Sequence, residues 1–316
     1  MPTTRKLGRT DLEIQPLVFG ANVLGWTMDE ATSFRVLDAY VDGGFTAIDT
    51  ADSYSRWVPG NDSESEKILG RWLHARGNRD RVLVLTKVGS DMGQGKRDLS
   101  AAWIEQAVEG SLRRLQTDYI DLYQSHWPDP TVSHEETLRA YDRLIQAGKV
   151  RHIGCSNFDA ALLAQAQSVA EDLGLARYET VQNELNLYSR SAYEGPVQDF
   201  VVKNGLSALS YFSLASGFLT GKYRSVADLA GRPRGNWLEK YFDDRGLRIL
   251  AALDEVAGAR GVQQAEVAIA WINAQPGVAA AIASATSLEQ LDVLMRAARL
   301  RLTDAELARL NEAGRA

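Results

Sequence analysis

Four residues of this 316-residue chain, Asp49, Tyr54, Lys87 and His126, are of types that together can deliver a proton to an oxygen atom. Each stands at or just after a short apolar run: 45–49 leads into Thr50-Ala-Asp-Ser-Tyr54, 82–87 ends in Lys87, and 120–125 runs into His126-Trp127-Pro128. A phenol ordinarily titrates near ~10, too high to act readily at neutrality. A neighbouring ammonium favours the phenolate and lowers that value, and a carboxylate can hold the ammonium in place. An imidazole beside them can donate a hydrogen bond to a carbonyl oxygen. Taken singly, each has a plain structural reading: Asp49 caps a turn, Lys87 snorkels to solvent, His126 packs in a loop and Tyr54 belongs to the core. Their joint occurrence at the ends of successive apolar runs favours the chemical one.

Such a set works only if the elements bearing it converge. Candidate strands are 17–20, 45–49, 82–87, 120–125, 150–155, 179–183, 206–211 and 278–283. Most are separated by roughly 30 residues, the length of a βαβ unit, and only the last gap is much longer and must hold an insertion. The strands are continuous apolar runs such as Val82-Leu-Val-Leu, as expected where both faces of a parallel sheet are covered. After Ser100, Ile104, Ala107, Val108, Ser111, Leu112 and Leu115 mark one buried helical face. Ser63 with Glu66, Ser133 with Glu136 and Thr303 with Glu306 have capping-box spacing, and Gly148 is a plausible helix stop.

Eight strands suit a closed α/β barrel, a (β/α)8 TIM barrel, whose active site lies at the C-terminal ends of the strands. A doubly wound open sheet is the other reading, but no strand–helix junction carries G-x-G-x-x-G; Gly93-Gln-Gly95 continues with Asp98 where the third glycine belongs. Residues 1–16 suggest a hairpin beneath the barrel, and 223–246, rich in Arg, Gly, Asp and aromatics, suggests a functional loop insertion. No internal repeat divides the chain, so 1–316 reads as a single domain.

Composition narrows the function. A net charge of −6 disfavours nucleic acid or an anionic membrane as the partner. No apolar stretch approaches the ~18 residues of a membrane span, and the N-terminus lacks a signal-like core, so the chain reads as soluble and cytoplasmic. The single cysteine, Cys155, excludes an internal disulfide and reads as a small buried hydrophobe. His74, His126, His134 and His152 show neither H-x-H nor H-E-x-x-H spacing, so no metal site is expected. Gly154-Cys-Ser-Asn-Phe158 lacks the last glycine of a nucleophile elbow, which argues against a hydrolase.

Nearly end to end, the sequence resembles the aldo-keto reductases, in particular the branch of bacterial members and potassium-channel beta subunits. The resemblance is carried by Phe45-Thr-Ala-Ile-Asp-Thr-Ala-Asp-Ser-Tyr54, Ser65-Glu-Lys-Ile-Leu-Gly70, Leu85-Thr-Lys-Val88, Asp121-Leu-Tyr-Gln-Ser-His-Trp-Pro-Asp129, Ile153-Gly-Cys-Ser-Asn-Phe158, Val181-Gln-Asn-Glu184 and Gly217-Phe-Leu-Thr-Gly-Lys-Tyr223. It implies a barrel that binds a nicotinamide cofactor, usually NADP(H), without a dinucleotide-binding domain. It further implies a catalytic set of Asp49, Tyr54, Lys87 and His126, with Tyr54 protonating the carbonyl oxygen as hydride arrives, Lys87 and Asp49 tuning Tyr54, and His126 orienting the carbonyl.

For the cofactor, the resemblance implies contacts from Asp49, Ser156, Asn157 and Gln182 at the nicotinamide, with Tyr211 stacked on its ring. Ser213, Leu214, Ser216 and Lys222 fall on the pyrophosphate segment, where Phe212-Ser213-Leu214 replaces the usual Ser-Pro-Leu. Residues 223–246 match a flap over the cofactor, with Arg234 as an adenosine-side contact. Ser284, Thr286 and Gln290 fall on the segment for the adenosine 2′-phosphate, where many members carry Lys or Arg and this chain has neither; Ser287 and Gln290 also have capping-box spacing. The resemblance makes NADP(H) the first expectation, and the missing basic residue keeps NAD(H) as the alternative. Trp26, Trp57 and Trp127 are candidates to wall the substrate pocket, equally able to pack under loops. The function expected is reduction of an aldehyde or ketone, a sugar or keto-sugar among the candidates. Alternatives are a polyol or alcohol dehydrogenase and a channel-beta-type regulatory subunit; the oligomeric state stays open.

Overall fold

The computed structural model describes residues 4–231 and 235–315. A two-stranded antiparallel hairpin, β1 (Arg5–Lys6) and β2 (Glu13–Ile14), precedes eight parallel strands. These are β3 (Leu17–Gly20), β4 (Ala47–Asp49), β5 (Leu83–Val88), β6 (Ile120–Ser125), β7 (Val150–Ser156), β8 (Tyr178–Glu184), β9 (Ser207–Tyr211) and β10 (Val278–Ala283). They close a barrel in chain order, β10 pairing with β3. The expected TIM barrel with its N-terminal hairpin is the fold observed.

One helix follows each of the first six barrel strands: α1 (Glu30–Asp42), α2 (Glu64–Arg76), α3 (Ala101–Leu115), α4 (His134–Gln146), α5 (Ala160–Leu173) and α6 (Pro196–Asn204). The long gap before β10 holds short helical turns, including α7 (Gly235–Leu238), and then α8 (Asp244–Arg260) and α9 (Gln264–Asn273). After β10 come α10 (Leu288–Ala297) and α11 (Asp304–Ala313).

Two apolar cores hold these layers. The larger lies between the strands and the outer helices. The smaller fills the barrel floor, where Leu7, Leu12 and Ile14 of the hairpin pack on Val18, Ala47, Leu85, Leu122 and Leu209. Each hairpin residue is at most 1% exposed, so its burial is worth about 1.5–3 kcal/mol. The floor is thereby plugged and the polar chemistry is confined to the opposite rim.

Helix α2 sits close on α3 because Gly70 carries no side chain; a Cβ there would stand 2.1 Å from the Arg114 carbonyl oxygen. Of the expected caps, Thr303 and Glu306 form a reciprocal box, while Ser133 caps α4 without a return bond from Glu136. The box expected at Ser63 does not form. Ser63 is left-handed with φ 57°, and Glu66 turns inward to Thr86 and Arg114, a buried pairing that outcompetes a surface cap.

Candidate functional site

Asp49 ends β4 and Lys87 lies near the end of β5, both inside the barrel; His126 follows β6, and Tyr54 follows β4 on the same rim. The Lys87 Nζ lies 2.6 Å from Asp49 Oδ2, 2.8 Å from the Thr50 carbonyl oxygen and 3.0 Å from the Tyr54 hydroxyl. An ammonium has three protons, and all three are used here. The other Asp49 oxygen accepts from Gln182 at 2.9 Å and Gln124 at 3.3 Å. The Tyr54 oxygen thus accepts from Lys87, while its own proton finds no acceptor among the described residues and is free to point outward.

Burial raises the Tyr54 phenol above its ordinary pKa; the Lys87 charge pulls it back and Asp49 pushes it up again. The expected lowering by Lys87 is present but does not win, because desolvation penalises the phenolate more than one ammonium, itself shared with Asp49, can offset. Tyr54 therefore remains an acid through the neutral range. Burial also opposes the Lys87 charge, but Asp49 and the phenol outweigh it, so its pKa is raised and the ammonium persists.

The His126 ring packs edge-on against Tyr54, with centroids 5.8 Å apart. Burial, then Lys87 and Arg97, hold its pKa well below the ordinary value, so the imidazole is neutral. Its Nδ1 lies 3.0 Å from the Ser90 hydroxyl, for which it is the one side-chain acceptor within reach among the described residues. Were Ser90 the donor in this contact, the ring proton would sit on Nε2.

Asp52, two residues before Tyr54, is 1% exposed, and neither carboxyl oxygen has a partner among the described residues. Burial and the nearby Glu66 charge raise its pKa to about 8, against the pull of Arg114. In the unfolded chain the group ionises near ~3.9, so between these values the folded state holds a proton that the unfolded state has lost. Stability tied to this group is therefore full at acid pH and is lost as pH rises through about 8. Asp52→Asn mimics the protonated form. Its melting temperature relative to the unsubstituted protein should rise steadily from pH 5 to pH 8; a constant difference would refute the neutral carboxyl.

The residues expected at the nicotinamide form one network. The Asn157 side chain donates to the His126 carbonyl oxygen at 2.9 Å and accepts from the Tyr211 hydroxyl at 2.7 Å. Ser156 donates to the Gln182 carbonyl oxygen at 2.7 Å. On the segment expected at the pyrophosphate, Phe212, Ala215, Ser216 and Gly217 all have positive φ. The N–H groups of Ser213 and Leu214 find no described acceptor, although the Ser213 side chain is buried and bonded to the Ser210 carbonyl oxygen. A Cβ at Gly217 would stand 3.7 Å from the Lys222 ammonium, which makes no ion pair among the described residues. Such a left-handed loop with free N–H groups and a cation is a cradle for an anion, and these residues fit a dinucleotide pyrophosphate. Arg234 lies outside the described residues.

The segment after β10 is partly spent on its own helix. Ser287 caps α10, and the Gln290 side chain accepts from the Thr286 N–H at 2.9 Å, as its capping spacing suggested. The Ser284 hydroxyl lies 2.7 Å from the Gly20 carbonyl oxygen. Beside Thr286, a cleft of about 360 Å³ opens towards α1, lined by Thr32, Arg35, Val36, Ser287, Leu288 and Glu289. The Arg35 guanidinium bonds Thr32 at 3.0 Å and makes no ion pair among the described residues, although its charge is felt at the Asp29 carboxyl.

Trp26, Trp57 and Trp127 all lie around Tyr54 and His126. Trp57 contacts Tyr54 with centroids 6.1 Å apart and Trp26 at 5.4 Å, and Trp127 stacks on His126 at 5.5 Å. Trp237 of α7 joins Trp26 at 6.2 Å. Sequence reasoning missed Gln124, Ser90, Trp237, Arg35 and Arg97. Gln124 was within reach, since the period of two that points Leu122 inward also points Gln124 inward. The others come from loops or a helix distant in sequence and leave no periodic signal.

The profile described as the aldo/keto reductase family matches residues 16–315. The aldo-keto reductase YhdN of Bacillus subtilis is 37% identical over 90% of this chain and 85% of the relative. The protein tas of Escherichia coli is 31% identical over 96% and 95%, respectively. A protein of rice named probable voltage-gated potassium channel subunit beta is 34% identical over 93% of this chain and 90% of its own length.

Proposed function

The chain belongs to the aldo/keto reductase family of oxidoreductases, and from that membership we propose that it reduces an aldehyde or ketone to the alcohol with NADP(H), Tyr54 being the general acid. The observation that carries this reading is the Tyr54 hydroxyl. Its oxygen is held by Lys87, its proton has no acceptor among the described residues, and its raised pKa keeps that proton at neutral pH. A bound reduced nicotinamide supplies the hydride.

The protein's own part is proton delivery and orientation. Neutral His126 donates from Nε2 to the carbonyl oxygen and polarises it, with Ser90 fixing the tautomer. Tyr54 donates its proton to the same oxygen as charge develops there, and the Lys87 ammonium stabilises the phenolate left behind. Asp49 anchors Lys87 through the shortest of its three contacts, 2.6 Å. The tryptophans around Tyr54 offer apolar faces to the substrate. In alcohol oxidation Tyr54 takes a proton back, which requires the phenolate; its raised pKa favours reduction at neutral pH. Activity with a panel of aldehydes and ketones and either reduced cofactor tests the reading, and consumption of neither cofactor would refute it.

The preference for NADP(H) rests on Arg35. No basic residue lies in 284–290, but Arg35 of α1 faces the same cleft as Thr286 and Ser287 and makes no ion pair among the described residues, its charge only partly answered by Asp29. A charge-assisted bond to a 2′-phosphate is worth about 1.5–3 kcal/mol, or tenfold and more in affinity. Arg35→Ala should weaken NADPH binding about tenfold and leave NADH binding within about twofold, read by quenching of tryptophan fluorescence. Equal binding of both cofactors to the unsubstituted protein would instead make NAD(H) the cofactor.

A further inference from the structure

Arg97 is another cation with no ion pair among the described residues, and it stands at the carbonyl end of the site. It is exposed in the loop 89–100 between β5 and α3, and its guanidinium carbon lies 4.3 Å from the centre of the Trp127 ring. Trp127 in turn lies nearly parallel to the His126 ring, at 11° and 5.5 Å. The guanidinium is thus one indole away from the imidazole, and its charge is felt there as one of the influences that disfavour the imidazolium.

The acids and cations around Arg97 are otherwise engaged. Lys96 and Asp98 pair with each other at 3.3 Å, and Asp91 accepts from the N–H groups of Gly93 and Gly95. Arg56, which reaches this loop through Met92, is paired with Asp62. Among the described residues Arg97 makes no hydrogen bond and no ion pair; the face of Trp127 alone holds it. A guanidinium held over an indole spends none of its N–H donors there, and that fork of donors matches a carboxylate in bidentate fashion.

We propose that Arg97 is a substrate-binding residue and that the substrate is an aldehyde or ketone bearing a carboxylate remote from its carbonyl. The carbonyl lies at Tyr54 and His126, the body of the molecule runs along Trp127 and the carboxylate reaches Arg97. The assignment rests on the reductase reading above and adds the substrate class to it.

The test compares 4-carboxybenzaldehyde with its methyl ester, two aldehydes of like shape that differ in one charge. Reduction is followed for the unsubstituted protein and Arg97→Gln at low and high salt, and binding of both compounds is titrated in parallel by tryptophan fluorescence. The acid should exceed the ester in kcat/KM by about tenfold, a factor one charge-assisted contact supplies. Arg97→Gln should abolish that ratio, and added salt should narrow it. An ester reduced as well as the acid, or an Arg97→Gln loss shared equally by both, would overturn the assignment and leave the reductase reading in place. An Arg97-dependent preference for binding the acid without turnover of either compound would keep Arg97 as a carboxylate-binding residue while refuting the reductase reading and with it the substrate class.

Discussion

Replacing Tyr54 by phenylalanine is expected to lower kcat for carbonyl reduction by about 10²–10⁴-fold, the range of a lost general acid. The substitution removes one oxygen and little else. The ring keeps its contacts with Trp57 and His126, and Lys87 keeps its place over the ring face, 4.6 Å from the centroid. Asp49 and the Thr50 carbonyl oxygen still hold two of the three ammonium protons. Cofactor binding should therefore change by no more than about twofold, so the loss falls on the chemical step. Steady-state rates together with a fluorescence titration of NADPH separate the two. An equal loss of turnover and of cofactor affinity would mean that Tyr54 supports the site's structure rather than donating a proton.

Lys87→Met should cost both stability and activity. Lys87 and Asp49 form an ion pair with both residues at most 1% exposed, and removing the cation leaves the Asp49 Oδ2 atom with no described partner. Breaking such a pair from one side costs about 3–5 kcal/mol, much of it for the charge left behind. The double substitution Asp49→Asn with Lys87→Met removes both charges, and Gln124 and Gln182 can still bond the remaining side chain. Urea unfolding should show the double variant recovering most of the stability, while its carbonyl reduction stays as low as that of Lys87→Met. A single variant as stable as the unsubstituted protein would show that the ion pair is not what holds this part of the barrel.

The parts of the fold legible in the sequence are those written as burial patterns. The apolar runs at Leu17–Gly20 and Val278–Ala283 are strands to the residue, because strands covered on both faces need no polar alternation. The cap at Ser63 misled because Glu66 has a stronger attraction inside the protein than at the surface. Residues at strand ends, such as Asp49 and Lys87, could be placed on one rim as soon as the strands were found. Arg35 and Arg97 could not, since what marks them is where they stand, one on the cleft beside Thr286 and the other over Trp127, and neither place is written in the sequence. The direction of the Tyr54 shift was hidden for a similar reason: the sequence names the ammonium beside the phenol but not the depth to which both are buried.

The central claim is that a carbonyl receives hydride from a nicotinamide and a proton from Tyr54 in one site. The most direct measurement is a single turnover, with the protein in excess over NADPH, mixed with an aromatic aldehyde while loss of the reduced nicotinamide is followed and the alcohol is quantified. The account predicts one alcohol formed per nicotinamide oxidised in the unsubstituted protein, and almost none on that timescale with Tyr54→Phe. NADPH that binds but is not oxidised by any carbonyl offered, or that is oxidised equally fast without the Tyr54 hydroxyl, would contradict it.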